Sequence, residues 1–149
     1  MATFVLVHGA GDVGWYWHLT EAELRARGHE TAAPDLPCDN STASLDDYAA
    51  AVAAAAAGRR DLVIVGQSYG AFTATLAASR LPARLLVLLG GMIPVPGQSP
   101  AQWWDGAQAL PCQPPHERSG EEAVIVAQDE PGGHVRPRAE RPGRIPHLR

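Results

Sequence analysis

"VIVGQSYGA", residues 63–71, decides the fold. A β-branched, apolar run, Asp61-Leu62-Val63-Ile64-Val65, stops at Gly66. Ser68 follows two residues later and Gly70 two after that, and alanines at 71, 74, 77 and 78 then predict a helix over residues 71–80 that sits close to a sheet. Gly-x-Ser-x-Gly between a strand and a helix demands a sharp turn. The small residues on either side of the serine keep the strand and helix from colliding. The hydroxyl then projects above the C-terminal edge of the sheet, where open α/β sheets bind ligands. A helix N-terminus behind it favours developing negative charge. Ser68 is therefore a candidate nucleophile. The plainer reading is a serine that caps the helix.

Working outward, residues 3–7, Thr-Phe-Val-Leu-Val, read as a buried strand ending at His8-Gly9. A glycine-bearing loop and a helical stretch from about Trp15 to Arg27 follow, with Gly28 as the stop. Residues 30–33 form a weak second strand, closed by Pro34-Asp35-Leu36-Pro37. Ser44 with Asp47 predicts a capped helix through the alanine block at 49–57, which packs on a sheet and ends at Gly58. Pro82 ends the helix after the Ser68 turn, and residues 84–89 are another apolar strand. Strands alternating with helices at these spacings predict right-handed βαβ units, an α/β fold with a parallel sheet and helices on both faces.

Past about residue 97 the pattern decays. Residues 98–149 carry 8 of the 13 prolines. Trp103 and Trp104 are placed to anchor a short helix, and residues 123–127, Ala-Val-Ile-Val-Ala, read as a helix turn in preference to a strand because a glutamate pair flanks them. Beyond Pro131 no hydrophobic period remains, and an irregular C-terminal tail is expected. The charge also reverses. Seven arginines oppose 15 acids over residues 1–130, whereas five arginines oppose one acid over 131–149.

The composition, 46% hydrophobic and 19% charged over 149 residues, is that of a globular domain large enough to bury a core. A net charge of −4 argues against a nucleic-acid or anionic-membrane partner. No run approaches the length of a membrane span and no leader pattern opens the chain, so a cytoplasmic protein is expected. Cys38 and Cys112 have no metal-ligand spacing; they read as free thiols or one disulfide, with no metal and no cofactor expected.

His8-Gly9-Ala10-Gly11 is the second feature with chemistry in it. A glycine-rich loop there can turn backbone N–H groups toward the space above the sheet. With the amide of Tyr69 it would supply the two donors that an acyl-transfer oxyanion needs. His8 reads as a structural residue that holds the loop and not as a base.

With these stretches in hand, the sequence resembles the α/β-hydrolase fold family, in particular the small esterase branch with plant methylesterases, hydroxynitrile lyases and their bacterial relatives. The matching stretches are "FVLVHGAGDVGWYW", "LRARGHETAAPDLP", "LVIVGQSYGAF" and, more loosely, "LLVLLGGMIPVPGQS", all within residues 3–99. The resemblance implies a partial α/β-hydrolase fold: a core portion over residues 1–99, a partial cap or helical segment over 100–130 and an irregular basic tail over 131–149. It implies Ser68 as nucleophile, Ala10 and Tyr69 as backbone oxyanion donors, and His8, Gly9, Gly66 and Gly70 as loop and turn support. It also implies that Trp15 and Trp17 pack near the loop. Ala71 stands where the family has a glycine directly after the turn, and Asp35 has no catalytic role.

The family order is Ser, then acid, then His. Only His116, His134 and His147 follow Ser68, all in the proline-rich region. Asp129 and His134 have the right order, yet they stand too close for a strand and helix to lie between acid and base. The expected activity is a serine hydrolase acting on a small-molecule ester through an acyl-enzyme. The chain is expected to be the N-terminal portion of such an enzyme, truncated or off-pattern near residues 120–130, with turnover impaired or lost. Three other readings stay open. One is a hydroxynitrile lyase that uses Ser68 as a proton relay. Another is a non-catalytic binding or vestigial protein. The third is a dinucleotide site, since Gly9, Gly11 and Gly14 form G-x-G-x-x-G with Asp35 about 20 residues on; that reading leaves the motif at 66–70 unexplained.

Overall fold

The run that ends at Gln67 is the central strand of a five-stranded sheet in a computed structural model that describes residues 1–93, 95, 97–108 and 124–127. The strands are β1 (Thr3–Val7), β2 (Glu30–Ala32), β3 (Leu62–Gln67), β4 (Ala83–Leu89) and β5 (Val124–Ala127), in the spatial order β2-β1-β3-β4-β5. The first four are parallel. Val7 lies opposite Gly66, and Gln67 opposite Leu89, so three strand ends finish level at one edge. The loops that leave that edge, at His8, Ser68 and Gly90, meet there.

A parallel sheet needs crossover helices, and they cover both faces. Helices α2 (Leu45–Ala56) and α3 (Gly70–Arg80) pack on the face that carries Val5, Val7 and Ile64. Ala49, Val52 and Ala56 of α2 and Ala71, Ala74, Ala77 and Ala78 of α3 are buried there, so the alanine blocks bring both helices close to the sheet. On the other face, Leu6, Val63 and Val65 pack with Trp17, from a 3-10 turn at Gly14–Trp17 that leads into α1 (His18–Ala26). The cap of α2 is a full capping box. The Ser44 N–H donates to Asp47 Oδ2 at 2.8 Å, and the Asp47 N–H donates to Ser44 Oγ at 3.3 Å. Trp103 and Trp104 lie in a helix, α4 (Pro100–Gln108).

One expectation is corrected. Residues 124–127 are not a helix turn: β5 pairs antiparallel with β4, Leu86 opposite Val126 and Val87 opposite Ile125, so the sheet is not wholly parallel. The physical reason is twofold. Val-Ile-Val favours extended backbone, and the outer edge of β4 offers a row of N–H and C=O groups that a strand satisfies. These outweigh the helix preference of the flanking glutamates. The expected irregular tail at 131–149 lies outside the described residues.

Candidate active site

Ser68 occupies the two-residue turn between β3 and α3, at φ 52. Left-handed backbone is costly for a residue with a Cβ, on the order of 1–3 kcal/mol, and persists only where the surroundings impose it. Three backbone hydrogen bonds impose it here. The Ser68 N–H donates to the Leu89 carbonyl at 3.1 Å, and the Ser68 carbonyl accepts from Ala71 and Met92, each at 3.1 Å. The turn is also squeezed. A Cβ on Gly66 would stand 2.6 Å from Ala74 Cβ and 3.0 Å from Ala71 Cα, and one on Gly70 would run into the His8 carbonyl oxygen. Tyr69, not Ser68, is the N-cap of α3, and α3 has no side-chain cap bond. A helix-capping role for Ser68 is thereby set aside.

The 8–11 loop faces this turn. Gly9 lies against it, since a Cβ there would be 3.3 Å from Ser68 Cβ and 2.6 Å from Gln67 Oε1. His8 is fully buried. Its Nε2 accepts the Leu36 N–H at 3.2 Å, which leaves the ring proton on Nδ1, where it donates to the Gly9 carbonyl at 2.9 Å. Both ring nitrogens of His8 are thus spent on backbone. The loop is tied a second time by Asp35, whose Oδ1 accepts the Gly14 N–H at 2.7 Å. Asp35, the residue that a dinucleotide site would turn to a ribose, thus bonds the backbone of the loop. Among the described residues, the backbone N–H groups of Ala10 and Tyr69 donate to no protein acceptor.

Trp17 is buried, at 4% exposure, and packs with Leu6, Val63 and Val65. Trp15 is not: it is 71% exposed and stacks on His18 with ring centroids 4.0 Å apart. His18 Nδ1 bonds the Trp15 carbonyl at 2.9 Å, and His29 Nδ1 accepts the Ala2 N–H at 3.3 Å. Among the described residues, no histidine or carboxylate is hydrogen-bonded to the Ser68 hydroxyl. Asp129 and His134 lie outside the described residues. So does Cys112, whereas Cys38 is free and exposed.

A cleft of about 210 Å³ opens beside the turn, between the 8–11 loop, α2 and α3. Leu36, Cys38, Tyr48, Tyr69 and Thr73 border it with the loop. Burial, and then the Cys38 thiol beside it, pushes the Tyr48 phenol up from its ordinary value. Sequence reasoning missed Tyr48, Cys38 and Thr73, because nothing in their local pattern separates them from surface or core positions. Gln67 Oε1 and Trp17 Nε1 are also buried without a partner among the described residues. Among the described residues no group of three His, Cys, Asp or Glu side chains could hold a metal ion, and no helix is long and apolar enough to cross a membrane.

The profile of a family described as "Alpha/beta hydrolase family" matches residues 4–145. Among characterised sequences, "Probable esterase PIR7A" of Oryza sativa subsp. indica is 38% identical over 108 residues, covering 64% of this chain and 41% of that protein. "Carbendazim hydrolyzing esterase" of Nocardioides sp. (strain SG-4G) is 34% identical over 110 residues, covering 66% of this chain and 46% of that protein. Among solved structures, polyneuridine aldehyde esterase superposes with a TM-score of 0.65 at 22% identity, covering 85% of this chain and 57% of that one. The chain thus spans roughly half the length of the relatives it matches.

Proposed function

The chain belongs to the α/β-hydrolase family, and from that premise we propose that it is a serine hydrolase of small carboxylic esters with Ser68 as its nucleophile. The observation that carries this reading is the left-handed backbone at Ser68. A capping or solvent-facing serine has no need of that conformation, whereas a nucleophile held clear of both strand and helix does. The esterases among its relatives support the substrate class.

In the proposed reaction, Ser68 Oγ attacks the ester carbonyl carbon and gives up its proton to a base. The carbonyl oxygen, now negative, is held by the unengaged N–H groups of Ala10 and Tyr69. One such donor is worth about 3–4 kcal/mol. The bond to the alkoxy group breaks, the leaving oxygen takes the proton and departs as alcohol, and an acyl group remains on Ser68. Water then attacks the acyl carbon and gives a proton to the base, the bond to Oγ breaks, Oγ takes that proton back as the serine hydroxyl, and carboxylic acid leaves.

The base is not among the described residues. His8 is committed to backbone, and His18 and His29 are bonded elsewhere. Of the histidines that remain, His134 with Asp129 has the family's order of acid before base. Both residues lie outside the described residues. Hydrolysis of p-nitrophenyl acetate tests the reading. Release of nitrophenol above background, lost in Ser68→Ala, is expected; equal rates in the two proteins contradict it.

A further inference from the structure

We propose that Trp103 is a positioning residue for Ser68, acting through the loop that follows β4. That Ser68 is the reacting group rests on the serine-hydrolase reading; the contacts that hold its backbone stand without it. Gly90 turns this loop at φ 50, and Gly91 lies against the first turn of α3, since a Cβ there would stand 3.1 Å from Ala71 Cβ. The loop clamps Ser68 by both backbone groups. The Leu89 carbonyl accepts the Ser68 N–H, and the Met92 N–H donates to the Ser68 carbonyl, each at 3.1 Å. A serine in the left-handed region stays there only while its surroundings insist on it, so whatever steadies the loop steadies the serine.

Met92 is buried, but the next residue, Ile93, is 51% exposed, so its side chain gives the loop little anchorage at this end. Trp103 supplies a hold. Its indole N–H donates to the Ile93 carbonyl at 3.0 Å, one residue beyond the Met92 amide that bonds Ser68. Its ring meets Phe72 of α3 edge to face, with centroids 6.4 Å apart and planes at 89°. Phe72 is buried, four residues after Ser68. Trp103 thus bridges the loop and the helix between which the Ser68 backbone is held. It is itself fixed at the start of α4. The Trp103 N–H donates to the Ser99 carbonyl at 2.9 Å, the Ser99 N–H to Gln102 Oε1 at 2.8 Å and the Gln102 N–H to Ser99 Oγ at 3.2 Å. Its neighbour Trp104 is 54% exposed and serves as a control.

Amide hydrogen exchange of the full chain, read residue by residue by NMR, tests the proposal. Trp103→Phe keeps an aromatic ring toward Phe72 and removes the donor to Ile93. Loss of one hydrogen bond is expected to make the clamp open about fivefold more often, so the Ser68 and Met92 amides should exchange about fivefold faster. The Val65 amide, in the middle of the sheet, reports global unfolding and is expected to keep its rate. Trp104→Phe should leave all three amides unchanged. Unchanged exchange at Ser68 or Met92 in Trp103→Phe overturns the proposal. So does an equal rise at Val65, which would make Trp103 a stabiliser of the whole chain, and so does the same rise in Trp104→Phe. The measurement needs no turnover. A chain that fails to cleave p-nitrophenyl acetate would refute the hydrolase reading and leave the clamp to be decided by exchange.

Discussion

The backbone N–H of Leu36 donates to Nε2 of the buried His8 at 3.2 Å, and this bond fixes the 8–11 loop to the segment after β2. His8→Ala would leave that N–H and the Gly9 carbonyl without their partner and open a cavity in the core. The expected loss is roughly 2–4 kcal/mol, from the unmet polar groups and the cavity together. Urea unfolding measures it, and a change within error of zero would show that the ring does not hold the loop.

Gly66 and Gly70 are expected to tolerate alanine unequally. At Gly66 the new methyl meets Ala74 Cβ at 2.6 Å, with the nearest backbone atoms of α3 at 3.0 Å. At Gly70 it meets the His8 carbonyl oxygen at 2.3 Å and the Val7 carbonyl oxygen at 2.9 Å, backbone at the end of the buried strand β1. Overpacking of this kind costs about 1–3 kcal/mol. Gly70→Ala is expected at or above the top of that range and Gly66→Ala below it. Urea midpoints in the reverse order would contradict the packing described.

Ser68 is held at φ 52, where glycine is at ease and alanine is not. Ser68→Gly is therefore expected to be more stable than Ser68→Ala by roughly 1 kcal/mol. Thermal unfolding of the two variants decides it. Equal stability would mean that the turn carries no strain at this residue.

The capping box of α2 gives a pH signature. The Ser44 N–H and hydroxyl bonded to Asp47 hold its carboxyl below the usual carboxylate range. A lowered folded-state value stabilises the protein above the ordinary carboxylate pKa, and that contribution is lost as pH falls through the lowered value. Ser44→Ala is expected to cost about 1 kcal/mol at neutral pH. The gap to the parent should narrow on acidification. A gap that is constant from neutral to acid pH would contradict the box.

Much of the fold was legible because its signals are local. The Leu62–Val65 run, the glycines at 66 and 70 and the Ser44 cap each announce their own backbone. The sharp turn at Ser68 follows from the two glycines and the strand before them. What was not legible depends on distant partners. Residues 124–127 carry β-branched side chains and flanking glutamates in balance, and the free edge of β4 decides between them. Asp35 was readable as a turn residue but not as the acceptor for Gly14, because that contact needs β1 and β2 already paired. Tyr48, Cys38 and Thr73 come from three segments, and only the packing of α2 and α3 on one face sets them around a cleft. Trp15 was expected near the loop with Trp17, but its side chain is exposed and stacks on His18, whereas Trp17 packs with Leu6, Val63 and Val65.

The central claim is that Ser68 is a nucleophile set opposite two free backbone donors. Incubation of the folded chain with a fluorophosphonate, followed by peptide mass mapping, tests it most directly. The expected result is a slow, stoichiometric adduct on the peptide that carries Ser68, absent from Ser68→Ala. A folded chain that takes no label, or an adduct that persists in Ser68→Ala, would contradict the account.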